Sequence, residues 1–211
     1  MKYNNLRIQF SRFHHLTTPL ILILFIWYPL IGCNSSKILL NEDAEPIYYG
    51  TIESIDQVYD GDTIQDVSIL IYPFLHNKSD ISNIPLIIWP GVERRQDGIY
   101  SLTNIRIAGI DTPEKRPRKA GRTEASLQRE KDRAAAATDF LKHLILDNTK
   151  ENGKLGFYIQ NPEFGTYAGR IIADLFFYNN DITINIADEL INSGHAVEYD
   201  GGTKTHDWGA E

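Results

Sequence analysis

One change of hydrophobic period, near residue 123, limits what this chain can fold into. Before it, over 47–110, apolar and aromatic residues come in short strand-like runs: Tyr48, Tyr49, Ile52 and Ile55, then Val67, Ile69, Ile71 and Tyr72, then Ile105, Ile107 and Ile110. After it, Leu127, Ala134, Ala137, Leu141, Leu144 and Ile145 recur with a period of about 3.6 residues, and charged residues fill the other face. That pattern predicts a helix over 123–146. Strand texture returns at 155–160, bracketed by Gly153 and Gly156, and again at 170–178. Asn185 is placed to cap a short helix, with Asp188 three residues on and Gly194 closing it. Strands, a central helix, more strands and a short helix predict an α+β domain, and a small barrel with helices packed on it satisfies that order. The stretch 74–100 is long for a hairpin connection and is expected to carry an extra strand at 86–89.

The 211 residues, 42% apolar and 11% aromatic, suffice for one core and leave little room for a second full domain. The first 32 residues read as an address. Lys2, Arg7 and Arg12 give a positive start, and an apolar run follows over 19–31. At about 13 residues it is shorter than the ~20 a spanning helix needs, and it suits a signal peptide. The run ends in Leu30-Ile31-Gly32-Cys33, a pattern resembling the bacterial lipobox, in which the cysteine carries lipid. The expected organisation is a lipoprotein signal peptide over 1–32, a polar tether over 33–46 and one domain over 47–211. The expected location is the bacterial cell envelope, anchored to the membrane through Cys33. Because Cys33 is the only cysteine, the chain has no intrachain disulfide. Loss of 1–32 removes three basic residues and no acidic ones, so the net charge of −7 becomes −10. A body this acidic meets nucleic acid only through a local basic site.

Three clusters carry possible chemistry. Asp60-Gly61-Asp62-Thr63 follows a strand and reads equally as a tight turn. It is a poor calcium loop of the EF-hand kind, since Ile64 and Gln65 stand where a ligand and a glycine are needed. Arg106 alternates with Ile105 and Ile107, which puts it on the opposite face, and Asp111, Thr112 and Glu114 crowd the end of that strand. Asp-Thr-Pro-Glu can start a helix, but the basic, proline-containing residues 113–122 that follow make a poor one. The third cluster is Tyr167-Ala168-Gly169-Arg170, at the start of the last long strand.

Taken together, the order and spacing of the three clusters resemble the staphylococcal nuclease (thermonuclease) family. The likeness extends through Asn185-Ile186-Ala187-Asp188-Glu189-Leu190 and Gly194-His195-Ala196 and covers about 47–200. It implies a five-stranded barrel of the oligonucleotide-binding type (OB-fold) with packed helices. It also implies a monomeric endonuclease that hydrolyses the phosphodiester bonds of DNA or RNA with Ca²⁺. By position, Asp62 and Asp111 would hold Ca²⁺ through carboxylates and Thr112 through its backbone carbonyl, with Asp60 behind them. Arg106 and Arg170 would grip the phosphate, and Glu114 would act as base or position the water.

Hard oxygen ligands suit Ca²⁺, and two guanidinium forks suit charge developing on phosphate oxygens. Lys115, Arg116, Arg118, Lys119 and Arg122 are expected to guide the phosphate backbone. Tyr48, Tyr49, Tyr167 and Tyr199 could stack on bases or pack the barrel. The chain departs from the family pattern at Tyr167-Ala168-Gly169-Arg170, where a Lys-Tyr-Gly-Arg type of sequence is common. No further helix is expected after Tyr199. Two other readings fit the same residues: a catalytically inactive barrel binding nucleic acid or protein, and an acidic lipoprotein with a structural Ca²⁺ at Asp60 and Asp62.

Overall fold

The computed structural model describes residues 46–73, 89–149, 155–165, 169–179 and 182–211. Cys33, the leader and residues 33–45 of the tether lie outside the described residues, as does Tyr167. In chain order the elements are β1 (Tyr48–Ile52), β2 (Thr63–Pro73), β3 (Val92–Arg94), β4 (Gly98–Ile107) and β5 (Ile110–Asp111). Then come α1 (Glu124–Asn148), β6 (Leu155–Phe164), β7 (Ile171–Asn179), β8 (Ile182–Asn185), α2 (Ile186–Asn192) and β9 (Val197–Glu198).

Five of the strands form a closed barrel in the order β4-β2-β1-β6-β7, and a parallel pairing of β4 with β7 completes the circle. That pairing sets Ile105, Arg106 and Ile107 beside Ile171, Ile172 and Ala173. The other barrel pairings are antiparallel. Closure removes the unpaired edges that an open sheet would expose. The interior is filled by alternate residues of every strand, among them Ile64, Val67, Ile69, Ile105, Ile107, Phe157, Ile159, Ile171 and Leu175, each at most 1% exposed.

Strict alternation would put Ile64 and Val67 on opposite faces, yet both are buried. A bulge reconciles them: the register of β2 on β4 shifts between Ile64 and Val67, and Asp66 takes φ 49°. The amide of Asp66 donates to Asn104 Oδ1 at 3.0 Å. Beyond the bulge, Thr63 lies opposite Arg106. The residue just before β2, Asp62, is thereby brought to the outer end of β4.

Helix α1 is capped by Thr123, whose hydroxyl accepts from the Ser126 amide at 3.1 Å. Its buried face runs through Leu127, Glu130, Ala134, Ala137, Thr138, Leu141 and Ile145. The last turn reaches two residues past the expected 146, and the Thr149 hydroxyl satisfies the Ile145 carbonyl at 2.8 Å. Helix α2 starts where the sequence placed it: Asn185 Oδ1 accepts from the amides of Ala187 and Asp188 at 2.8 and 3.3 Å. Of the extra strand expected at 86–89 only Trp89 is described. It is in no strand, and its buried ring meets Tyr48 edge-on at 4.8 Å. The added strand of this stretch is Val92–Arg94, paired to β4.

After β9, residues 199–211 form no strand or helix and cross back to α1. Arg129 Nε donates to the Gly209 carbonyl at 2.9 Å, and Arg133 Nη1 to that of Trp208 at 2.6 Å. Gly209 lies so close to the first turn of α1 that a Cβ there would fall on Ser126 and the Arg122 guanidinium.

Barrel closure makes a testable demand. Ile105 is paired on one side to β2 and on the other to β7, and is fully buried. Ile105→Ala should lower unfolding free energy by about 2–5 kcal/mol in urea titrations. Leu102→Ala, on the same strand but 44% exposed, should change it by no more than about 0.5 kcal/mol. Equal effects would mean that closure does not carry the core.

Candidate functional site

The site gathers where β2 begins, where β4 ends and where β5 follows. Gly61 makes the approach possible: a Cβ at this position would stand 2.9 Å from Ala137 Cβ on α1 and 3.1 Å from the Thr112 side chain. The turn 60–62 is therefore wedged between the helix and residue 112. Asp60 Oδ1 accepts from the Asp62 amide at 3.2 Å, and the Asp62 carbonyl accepts from the Ile107 amide at 2.8 Å. Asp62, Asp111 and Thr112 are each 3% exposed. Strand β5 is held by β9 through Ile110 and Asp111 opposite Glu198 and Val197.

The charges at this spot do not balance. Arg106 forks onto Asp62, with Nη1 3.0 Å from Oδ1 and Nη2 2.8 Å from Oδ2. The same Nη2 lies 3.3 Å from the Ile110 carbonyl and 3.9 Å from Asp111 Oδ1. The Thr63 hydroxyl adds a bond to Asp62 Oδ1 at 2.8 Å. Burial nevertheless pushes the Asp62 carboxyl up to about 7. The pull of Arg106 and the Thr63 bond offset only part of that rise, and the nearby Asp60 adds to it. Asp111 is met by two groups of the segment after β9: Lys204 Nζ at 2.6 Å on Oδ1 and Trp208 Nε1 at 3.1 Å on Oδ2. The same ammonium is 2.6 Å from Glu114 Oε1. Burial disfavours the charge on Lys204, but its bonds to Asp111 and Glu114 outweigh that and raise its pKa.

Two buried carboxylates thus share one guanidinium, and the Thr112 backbone follows directly. That oxygen set suits a hard cation needing few protein ligands and completed by water and substrate. Among the described residues, no group of three or more His, Cys, Asp or Glu side chains forms a metal cage.

Arg170 stands immediately before β7. Arg106 is registered opposite Ile172, and Arg170 precedes the buried Ile171, so both arginines belong to the outer faces of adjoining strands. Among the described residues the Arg170 side chain makes no ion pair, and its buried Nε has no partner. Glu114 is half-exposed, and its amide donates to Glu130 Oε1 at 3.1 Å.

Glu130 corrects one expectation. Its second oxygen pairs with Arg122, which also lies 3.7 Å from Asp207. Arg122 is turned into the fold as a brace, because a helix that buries a carboxylate needs a cation beside it. It is not part of an open basic guide. Arg116, Arg118 and Lys119 are exposed, whereas Lys115 donates to the Tyr59 carbonyl and lies 5.1 Å from the Tyr59 ring centre. Tyr48 packs in the barrel, Tyr49 leans on Tyr158 at 5.2 Å, and the Tyr199 hydroxyl donates to the Gly202 carbonyl at 2.6 Å.

The groups that sequence reasoning missed are Glu130, Lys204 and Trp208. Only Glu130 left a signal, a carboxylate spaced three and four residues from Leu127 and Ala134 on the apolar stripe.

The raised carboxyl of Asp62 makes stability depend on pH. Between about 4 and 7 the folded protein holds a proton that the unfolded chain has released. The stability this contributes is complete below the unfolded value of 3.8 and is lost as pH rises through about 7. Asp62→Asn, fixed in a neutral form, escapes that loss. In chelator, the melting temperature of D62N relative to wild type should rise from pH 5 to about pH 7 and level off above it. Each pH unit in the window is worth at most about 1.4 kcal/mol. A difference that stays flat or falls would refute the assignment.

No curated protein matches the chain. Residues 104–208 match the family model described as staphylococcal nuclease homologue. The match starts within β4 and takes in Arg106, Asp111, Thr112, Glu114, Arg170, Lys204 and Trp208. Strands β1 and β2, with Asp60 and Asp62, precede it. The closed five-stranded mixed barrel with two helices is consistent with the OB-type fold of that family. Residues 104–208 are thus a staphylococcal nuclease homologue domain segment, carried on a barrel consistent with that family's fold.

Proposed function

We propose that this protein is a Ca²⁺-dependent nuclease that hydrolyses phosphodiester bonds of DNA or RNA by in-line attack of water. The family match supports a nuclease-like activity. The observation that favours catalysis is the placement on adjoining strands of Arg106 and of Arg170, which makes no ion pair among the described residues, beside the convergent carboxylates of Asp62 and Asp111. A binding module has no need of two buried acids beside two arginines on adjoining strands.

In this reading Asp62, Asp111 and the Thr112 carbonyl would hold the ion. When bound, it would neutralise a phosphate oxygen and make phosphorus more electrophilic. Arg170, free of any carboxylate among the described residues, meets the negative charge that grows on the equatorial oxygens. Arg106 orients Asp62 and favours its ionised form, and would add its positive charge beside the phosphate. Glu114, at the solvent edge, orients the attacking water and accepts its proton. Arg116, Arg118 and Lys119 give an acidic body the local positive field that a polyanion requires. The Leu30-Ile31-Gly32-Cys33 pattern supports tethering to the bacterial envelope by lipid on Cys33, and the enzyme is proposed to act as a monomer.

The test is single-turnover cleavage of labelled DNA and RNA oligonucleotides by the full chain, in Ca²⁺ and in chelator. Chelator should abolish cleavage. Arg170→Ala should slow it by about 100-fold or more, the usual loss for one transition-state donor, and Arg170→Lys should recover little because it lacks the planar fork. Glu114→Gln should slow cleavage while leaving oligonucleotide affinity nearly unchanged. Wild-type rates in either Arg170→Ala or Glu114→Gln, or full activity in chelator, would overturn the proposal.

A further inference from the structure

Lys204 belongs to no strand or helix, yet its ammonium is placed with care. It lies 2.6 Å from Asp111 Oδ1 and 2.6 Å from Glu114 Oε1, between the buried acid and the half-exposed one. Ordering so long a side chain costs conformational entropy, and an ion pair to a half-exposed acid returns little. The backbone carries it there instead. Upstream, the Tyr199 amide donates to the Gly109 carbonyl at 2.9 Å, and the Gly202 amide to Asp200 Oδ1 at 2.9 Å. Downstream, Trp208 is 8% exposed, bonded to Asp111 and fastened to α1 through Arg133. Between these anchors Thr205 and His206 are exposed, and the Lys204 side chain keeps 39% of its surface in solvent. The lysine can therefore leave while Trp208 stays.

We infer that segment 199–211 is a strap whose Lys204 is a tethered competitor for the cation position, holding Asp111 and Glu114 until a divalent ion displaces it. The inference rests on reading Asp62 and Asp111 as a cation-binding pair. Four acids, Asp60, Asp62, Asp111 and Glu114, crowd the site, and among the described residues only Arg106 and Lys204 touch them as cations. A divalent ion brings two charges where the ammonium brings one. While the strap is closed, Glu114 is bonded to Lys204 and is not available to orient water. A competitor built into the chain weakens apparent ion affinity by the fraction of time the site is open.

Two measurements on the full chain test this. Acetylation of Lys204, followed by mass spectrometry with exposed Lys119 as reference, should be slow in chelator and several-fold faster in saturating Ca²⁺, with Lys119 unchanged. Calorimetry should show Ca²⁺ bound about ten-fold tighter or more by Lys204→Ala and by Lys204→Met, which keeps most of the stem. Equal affinity in all three proteins, Lys204 reactivity indifferent to Ca²⁺, or no Ca²⁺ binding by any of them would overturn the strap. A strap that opens on Ca²⁺ in a protein that cuts no nucleic acid would instead defeat the nuclease reading alone.

Discussion

The burial of Asp62 is the constraint on which the rest of the site depends. A carboxylate taken out of water loses several kcal/mol of hydration unless charge and hydrogen bonds replace it. Here the replacement is incomplete. A forked guanidinium and one hydroxyl meet it, and still the carboxyl is left near 7, ready to take a proton. A buried acid held in that state is a standing demand for positive charge. A proton, a lysine and a divalent ion can each answer the demand of this acidic cluster, and the differences among them give the site its pH dependence, its closed form and its proposed activity.

The architecture serves that demand from several directions. The bulge at Asp66 sets the start of β2 against the end of β4, and the close contact of Gly61 with Ala137 fixes the turn in depth. Closure of the barrel by β7 places Arg170 beside Arg106 on the outer surface. Glu130, reaching from α1, secures the amide of Glu114 and the guanidinium of Arg122 at the two ends of the basic stretch. The segment after β9 then ties Asp111 to the far side of α1. Residues far apart in sequence become one constellation because rigid elements carry them, which is what precise charge placement requires.

Local periodicity made much of this legible. Much of the five barrel strands and α1 followed from patterns of two and of about 3.6 residues, and Asn185 declared its helix by a side chain that can bond amides two and three residues on. The cluster at Asp111, Thr112 and Glu114 was readable because its members are neighbours. What escaped was non-local. Lys204 sits in a polar stretch with no period, and only the path of the backbone after β9 brings it to a carboxylate 93 residues away. Arg122 looked like its basic neighbours until a buried carboxylate on α1 claimed it. The position of β3 depends on pairing with β4, for which three exposed residues leave no pattern. Asp66 gives no hint of a bulge, since its neighbours read as an ordinary strand.

An acidic body with a charge-dense site also suits a particular division of labour in the proposed nuclease. Long-range attraction for a polyanion would be weak, so specificity for phosphate would fall to a few guanidinium groups acting at contact. The proposed activity requires that water, oriented by Glu114, attack phosphorus directly. The most direct measurement is cleavage of a defined oligonucleotide in ¹⁸O-enriched water with Ca²⁺, followed by mass spectrometry of the new ends. Direct attack of water should leave one solvent oxygen on the terminal phosphate of each product pair and none on the sugar hydroxyl. Incorporation at the sugar, or a cyclic phosphate carrying no solvent oxygen, would contradict it.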